Sequence, residues 1–277
     1  MKQRTVLFGA SNLGLAAYDY LRGDYEIIGY CDNDPKKWGT RFNGLPIYPP
    51  SHLFEDRTLH VIITSNYYKE IAKQLTENQV TKYDVFDLHE IKFKEALAEK
   101  QKNNEKIRIV IGASQIFEQD WLPTEMSFLD ITSSEQWRKY FAEGSIDAVM
   151  AEHVWEHMTK EEGQVAAQNC YNFLKPGGYL RVAVPDGYHP NKEYIQAVDV
   201  GKDEHQCLYT YDEFCKIFLR SGFAVKLLEY WDENGEFHYR DWDCQDGMIH
   251  RSRRFDRRNV DGRLGYTSII VDAIKIE

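Results

Sequence analysis

Three groups of residues in this chain have types and spacings that could do chemistry. The first, His153-Val154-Trp155-Glu156-His157, sets two histidines around a glutamate. Within a helix, that order can bind a metal through both imidazoles while the carboxylate activates water. Here the five residues follow directly on the apolar run Ile146-Asp147-Ala148-Val149-Met150, which reads as a buried strand. The context speaks against the zinc hydrolase that the motif would make, and no metal is assigned. As proton acceptors the same histidines fit better, because an imidazole of near-neutral pKa can take the proton of an oxygen nucleophile. His153 and His157 are therefore the candidate catalytic residues, against the plain alternative that they cap or pack the following turn. His189 and His205 come after the next strand pattern, residues 179–184, and are candidates for substrate binding at the same edge.

The second group is Gly9-x-Ser11-x-x-Gly14, followed by Asp32-Asn33 about 20 residues on. A glycine turn of this kind brings backbone amides close to a phosphate or ribose, and an acid at the end of the second strand can accept from a ribose hydroxyl. Gly9, Ser11, Asn12, Gly14, Asp32 and Asn33 are the candidate nucleotide-binding residues; the bland reading is a turn whose glycines serve packing alone. The third group is Arg251-Ser252-Arg253-Arg254-Phe255-Asp256-Arg257-Arg258. Guanidinium forks suit phosphate or carboxylate, which makes Arg253 and Arg254 candidates for an anionic substrate. Between Tyr239 and Arg263, seven arginines face five aspartates, so a surface network of ion pairs is the competing account.

Positioning these groups takes two rounds of strand and helix. The runs Thr5-Val6-Leu7-Phe8, Glu26-Ile27-Ile28-Gly29-Tyr30 and His60-Val61-Ile62-Ile63-Thr64 alternate with helical stretches, and the cycle restarts at Ile107-Arg108-Ile109-Val110-Ile111-Gly112. Alternation of this length predicts parallel sheets with crossover helices. We expect a Rossmann-like domain over 1–92, a helical, polar linker over 93–106 and a second α/β domain over 107–277. The 277 residues suit about two domains. A net charge of −10 argues against broad binding to nucleic acid or anionic membranes. No apolar run approaches a membrane span, so membrane insertion is not expected. Five scattered cysteines without a Cys-x-x-Cys pair suit the reducing cytoplasm.

Two resemblances sharpen these expectations. Val6-Leu7-Phe8-Gly9-Ala10-Ser11-Asn12-Leu13-Gly14, Ile27-Ile28-Gly29-Tyr30-Cys31-Asp32-Asn33-Asp34 and Gly44-Leu45-Pro46-Ile47-Tyr48 resemble the N-terminal domain of sugar acyltransferases from bacterial glycan pathways. The resemblance implies a nucleotide or nucleotide-sugar ligand there; the hexapeptide-repeat half that transfers the acyl group is absent. Residues 107–277 resemble class I S-adenosylmethionine-dependent methyltransferases, through 147–158, the Leu174-Lys175-Pro176-Gly177-Gly178 turn into Tyr179–Asp186, Ser221-Gly222-Phe223 and the closing run 268–272.

This second resemblance implies two Rossmann-like domains, the latter a methyltransferase fold with an antiparallel last strand. It places the cofactor turn at Gly112-Ala113-Ser114, the ribose at Glu125 (ending a strand), the adenine at Asp130 and the pocket wall at Glu152. Ser114-Gln115-Ile116 stands where the family carries further glycines. Together the readings lead to methyl transfer onto a glycan or nucleotide-sugar precursor. The alternative is a non-catalytic binding protein on a degenerate methyltransferase fold.

Overall fold

The computed structural model describes residues 2–113 and 118–276. They form two compact units, residues 1–88 and 89–277.

The first unit holds β1 (Arg4–Phe8), α1 (Asn12–Leu21), β2 (Glu26–Cys31), β3 (Arg41–Phe42), β4 (Leu45–Tyr48), α2 (Pro50–Glu55), β5 (His60–Ile63), α3 (Tyr68–Glu77) and β6 (Tyr83–Val85). Its sheet runs β3-β4-β2-β1-β5-β6. All pairs are parallel except β3 with β4. The central strands read as near-continuous apolar runs because both faces are covered: Val6, Phe8, Val61 and Ile63 are buried with Leu53, Ile71 and Leu75 from the helices.

In the second unit, α4 (Leu88–Lys102) leads to β7 (Arg108–Ile111), β8 (Leu122–Pro123), α5 (Ser134–Tyr140), β9 (Ile146–Glu152), α6 (Lys160–Phe173), β10 (Leu174–Pro185), α7 (Lys192–Val198), α8 (Tyr211–Arg220), β11 (Phe223–Trp231), β12 (Phe237–Tyr239) and β13 (Ser268–Lys275). The sheet order is β12-β11-β13-β10-β9-β7-β8. The last strand, β13, is antiparallel to both β10 and β11, as expected for the methyltransferase fold. Residues 93–106, read from sequence as a linker, contain most of α4. Its Phe93 and Leu97 are buried in this unit's core, and that apolar pair is what the charged composition concealed.

The two faces of this sheet are covered differently. Alternate residues of the strands, such as Val149, Ala151, Val182 and Val271, join Trp137, Phe173, Phe214 and Phe218 of α5, α6 and α8 in the main core. The residues between them, Val110, Ala148, Met150, Ala183 and Ile270, pack against Trp242 and Ile249. Those two belong to the connection between β12 and β13, so the long arginine-bearing insert covers one face of the sheet. Arg181 on β10 fixes it there: a two-pronged pair with Asp272 (2.8 and 2.9 Å) leaves Nη1 donating to the carbonyls of Asp243 and Gly247 (2.9 and 2.8 Å).

Candidate functional site

Parallel strands of an open sheet deliver their ligand-facing residues at their carboxyl ends, and the residues singled out in the second unit follow those ends. β7 closes on Gly112 at φ 59°, where an added Cβ would stand 3.2 Å from Cγ2 of Val154. Ser114 lies outside the described residues. β8 stops at Pro123, so Glu125 stands two residues beyond the strand instead of ending it. It is half-buried, and its carbonyl accepts from the amides of Phe128 and Leu129. Asp130 takes up its own turn, with Oδ1 accepting from the amide and hydroxyl of Thr132 (2.9 and 2.7 Å).

Glu152 ends β9 with a fully buried side chain. Its carboxylate accepts from the amides of His250 (2.9 Å) and Arg251 (2.7 Å). This corrects the expectation of a pocket-lining acid: the carboxylate clamps the insert. A second buried acid, Glu229 on β11, does the same for the amide of Arg253 (2.7 Å) and the indole of Trp242 (3.1 Å).

The His-x-x-Glu-His segment does not form a helix. His153 adopts φ 57°, a left-handed conformation costly for a residue with a Cβ and often found at working sites. Residues Trp155–His157 make one 3-10 turn. Ser268 donates its hydroxyl to the Arg251 carbonyl (2.7 Å), so its oxygen accepts from Nε2 of His153 (3.0 Å). The other ring nitrogen, Nδ1, stands 3.0 Å from Oε1 of Glu156. That contact is an ion-pair approach and not a hydrogen bond, and both oxygens of the fully buried Glu156 lack a hydrogen-bond partner. His153 is thus held through Nε2 by Ser268, with Nδ1 beside the Glu156 carboxylate. His157 is exposed, and its ring meets that of His205 edge-to-face at 5.0 Å.

His189 was expected to meet substrate. The structure instead seats it in the interior, stacked on Tyr194 (3.9 Å) and against Trp231. Burial pulls its pKa down to about 4. Nearby, burial pushes the Asp186 carboxyl up to about 6, although the amides of Trp231 (2.7 Å) and Tyr188 (2.9 Å) donate to it.

The arginine segment divides. Arg258 makes a two-pronged pair with Asp256 (2.8 and 2.6 Å) and lies over Tyr266. Arg254 donates to the Trp242 carbonyl (3.0 Å) and packs on Phe255. For Arg254 these intramolecular partners favour the network account over an anion. Arg253 differs: it lies over Tyr239 (3.9 Å) and only approaches Asp241 at 3.7 Å, and its buried Nε has no partner.

In the first unit, Asp32 is already engaged, accepting from the Ala10 amide (3.1 Å), the Asp34 amide (2.9 Å) and the Lys37 ammonium (2.7 Å). Asn33 makes a reciprocal pair with Gln74. A Cβ on Gly9 would fall 2.3 Å from the Thr64 carbonyl oxygen, and one on Gly14 would fall 2.1 Å from that of Gly9. Packing therefore accounts for both glycines. Ser11 caps α1 by accepting from the Gly14 amide, and both Ser11 and Asn12 are exposed.

Sequence reasoning missed Arg181 and Ser268. Arg181 carried a signal, a lone charge within the apolar run 179–184; Ser268 had none beyond its position at the start of β13.

A family model described as a methyltransferase domain matches residues 63–228, more than half of the chain. A second, described as C2185-like, N-terminal, matches residues 1–86. Among solved structures, a SAM-dependent methyltransferase from Archaeoglobus fulgidus is similar at 14% identity, over 76% of this chain and 100% of that one, with a TM-score of 0.40. A SAM-dependent methyltransferase from Thermotoga maritima, described as a possible histamine N-methyltransferase, is 13% identical over 76% of this chain and 96% of that one, TM-score 0.35. A UDP-D-quinovosamine 4-dehydrogenase from Vibrio fischeri is 19% identical over 38% of this chain and 86% of that one, TM-score 0.27. No curated protein matches the chain.

Proposed function

The chain belongs to the methyltransferase-domain family, and we propose that it transfers a methyl group from S-adenosylmethionine to an oxygen of a glycan or nucleotide-sugar precursor. The observation that carries this reading is the left-handed Gly112 closing β7, with Glu125 and Asp130 following the adjacent β8. A residue without a side chain at the first strand end and two acids after the second supply the space and the acceptors that an adenosine needs. Gly112, Glu125 and Asp130 are the residues we assign to the cofactor. Glu152 does not fit that role, since two amides already occupy it. When bound, the cofactor would supply an electrophilic methyl group to the acceptor oxygen.

This chain's own part is to place the acceptor in line and to take its proton. We assign proton removal to the cluster of His157, His205 and Glu156, of which the His157 imidazole is exposed to solvent. His153, held by Ser268 beside Glu156, is the positioning residue. Arg253, with its unpartnered Nε, supports an anionic acceptor. For residues 1–92, we assign a nucleotide or nucleotide-sugar ligand beside the exposed Ser11 and Asn12 at the start of α1, with Lys37 as the neighbouring cation. The glycan class of substrate rests on the resemblance of this part to sugar acyltransferases.

The experiment is methyl transfer from labelled cofactor to a panel of phosphorylated sugars and nucleotide-sugars, with wild type and His157→Asn. Label should pass to an anionic sugar in the wild type and fall at least tenfold in the variant. Equal labelling by both would remove the cluster from the reaction.

A further inference from the structure

From Glu156, His157 and His205 we infer a binding site for one divalent transition-metal cation, of the zinc type, next to the 3-10 turn after β9. One ligand atom from each of these residues lies within 4.8 Å of the other two. Three features of the surroundings point to a cation.

First, Glu156 is fully buried and neither of its oxygens has a hydrogen-bond partner. An ionised carboxylate held out of water without such partners is costly, and a cation would remove that cost. Its ion-pair contact among the described residues, the His153 ring at 3.0 Å, makes no hydrogen bond to it. Second, the histidine brought from far along the chain is in the right form. His205 is buried, and its Nδ1 lies 2.9 Å from the carbonyl oxygen of Val198. A carbonyl only accepts, so Nδ1 carries the proton and Nε2 presents a lone pair; metal-binding histidines are oriented in this way. Third, the backbone stitches the partners together. The Glu156 carbonyl accepts from the amides of Gln206 (2.7 Å) and Cys207 (3.1 Å), and the His157 carbonyl accepts from the Gln206 side chain (2.8 Å).

Acceptors from three side chains therefore converge. Two imidazoles and a carboxylate are the donor set of zinc and its first-row neighbours, whereas magnesium and calcium favour oxygen alone. Ligands about 2.1 Å from a shared ion stand about 3.5 Å apart, so the site must close slightly; the exposed His157 can swing to do so, and it also leaves a path for entry. Three protein ligands leave a position open, the pattern of reactive zinc sites. A second grouping, Asp232, Glu236 and His238, has no such feature: Asp232 and His238 pair with each other at 2.8 Å. The inference deepens the methyl-transfer reading: with the cation bound these three side chains would be its ligands, and the cation would draw the acceptor oxygen and lower its pKa so that the proton passes to solvent water.

The test uses the untagged 277-residue chain, stripped with chelator and titrated with cobalt(II), then zinc(II), without methyl donor. One equivalent of cobalt should bind with the intense visible bands of a four- or five-coordinate site. Zinc should displace it and a thousandfold excess of magnesium should not. Glu156→Gln, which preserves shape, and His205→Asn should each weaken cobalt binding at least tenfold; His157→Asn, at an exposed position, serves the same purpose if the buried variants fail to fold. Absence of a bound equivalent in the wild type, or unchanged binding in the folded variants, overturns the site. S-adenosylhomocysteine binding measured alongside separates the two readings: cofactor without metal defeats the cation site alone, and metal without cofactor defeats methyl transfer alone.

Discussion

Asp186 and His189, three residues apart and both buried, should pull the stability of the second unit in opposite directions with pH. Asp186 titrates at about 6 in the folded chain against an ordinary 3.8. The folded state therefore binds this proton more tightly than the unfolded chain, and the stability it contributes at low pH is lost as pH rises from about 4 to 6. His189 titrates at about 4 against an ordinary 6.5. Its contribution is complete above pH 6.5 and is lost as pH falls towards 4. At 1.36 kcal/mol per unit, each amounts to roughly 3 kcal/mol, with opposite sign. Between pH 4 and 6 the two nearly cancel.

Single variants expose the hidden slopes. Asp186→Asn should make stability rise between pH 4 and 6 by roughly 2–3 kcal/mol relative to wild type, and His189→Phe should make it fall by a similar amount. Urea unfolding followed by tryptophan fluorescence is the assay; of the six tryptophans only Trp38 lies in the first unit. Profiles parallel to wild type in both variants would refute the assignment of these two groups as buried and opposed.

Other consequences are as direct. Glu152→Ala leaves the His250 and Arg251 amides without their acceptor, a loss of roughly 2–5 kcal/mol, and should speed tryptic cleavage within residues 251–258; an unchanged cleavage rate would show that the clamp does not hold the insert. Arg254→Ala should cost about 1 kcal/mol of stability, whereas Arg253→Gln should reduce labelling of an anionic acceptor at least tenfold; equal labelling by wild type and Arg253→Gln contradicts its role. Gly14→Ala puts a Cβ 2.1 Å from a carbonyl oxygen and should unfold the first unit, so binding there is better probed with Lys37→Ala, which should lower the melting shift given by nucleotides.

The sheets were legible in the sequence because their strands are long apolar runs punctuated by glycine, and the antiparallel β13 came with the family resemblance. What stayed hidden were partners far apart in the chain. Nothing near Glu152 in sequence announces that residues 250 and 251 will donate to it, and nothing near His157 announces His205. The same lack of long-range information made His189 look like a ligand when Tyr194 and Trp231 enclose it. Asp32 looked open to a ribose for the same reason, since the Ala10 amide, far back in the chain, reaches it only in the folded unit. Arginine-rich composition suggested an anion site or a surface network of ion pairs, but Trp242, Ile249 and Phe255 within the same segment make it a covering layer for the sheet.

The central claim is that Glu125 and the Gly112 turn hold S-adenosylmethionine. Calorimetric titration of the full chain with S-adenosylhomocysteine, repeated on Glu125→Ala, tests it most directly. A charge-assisted hydrogen bond to the ribose is worth about 1.5–3 kcal/mol, so the variant should bind about tenfold or more weakly, with wild-type binding at one equivalent. No heat of binding in the wild type at millimolar ligand, or equal affinity in the variant, would contradict the account.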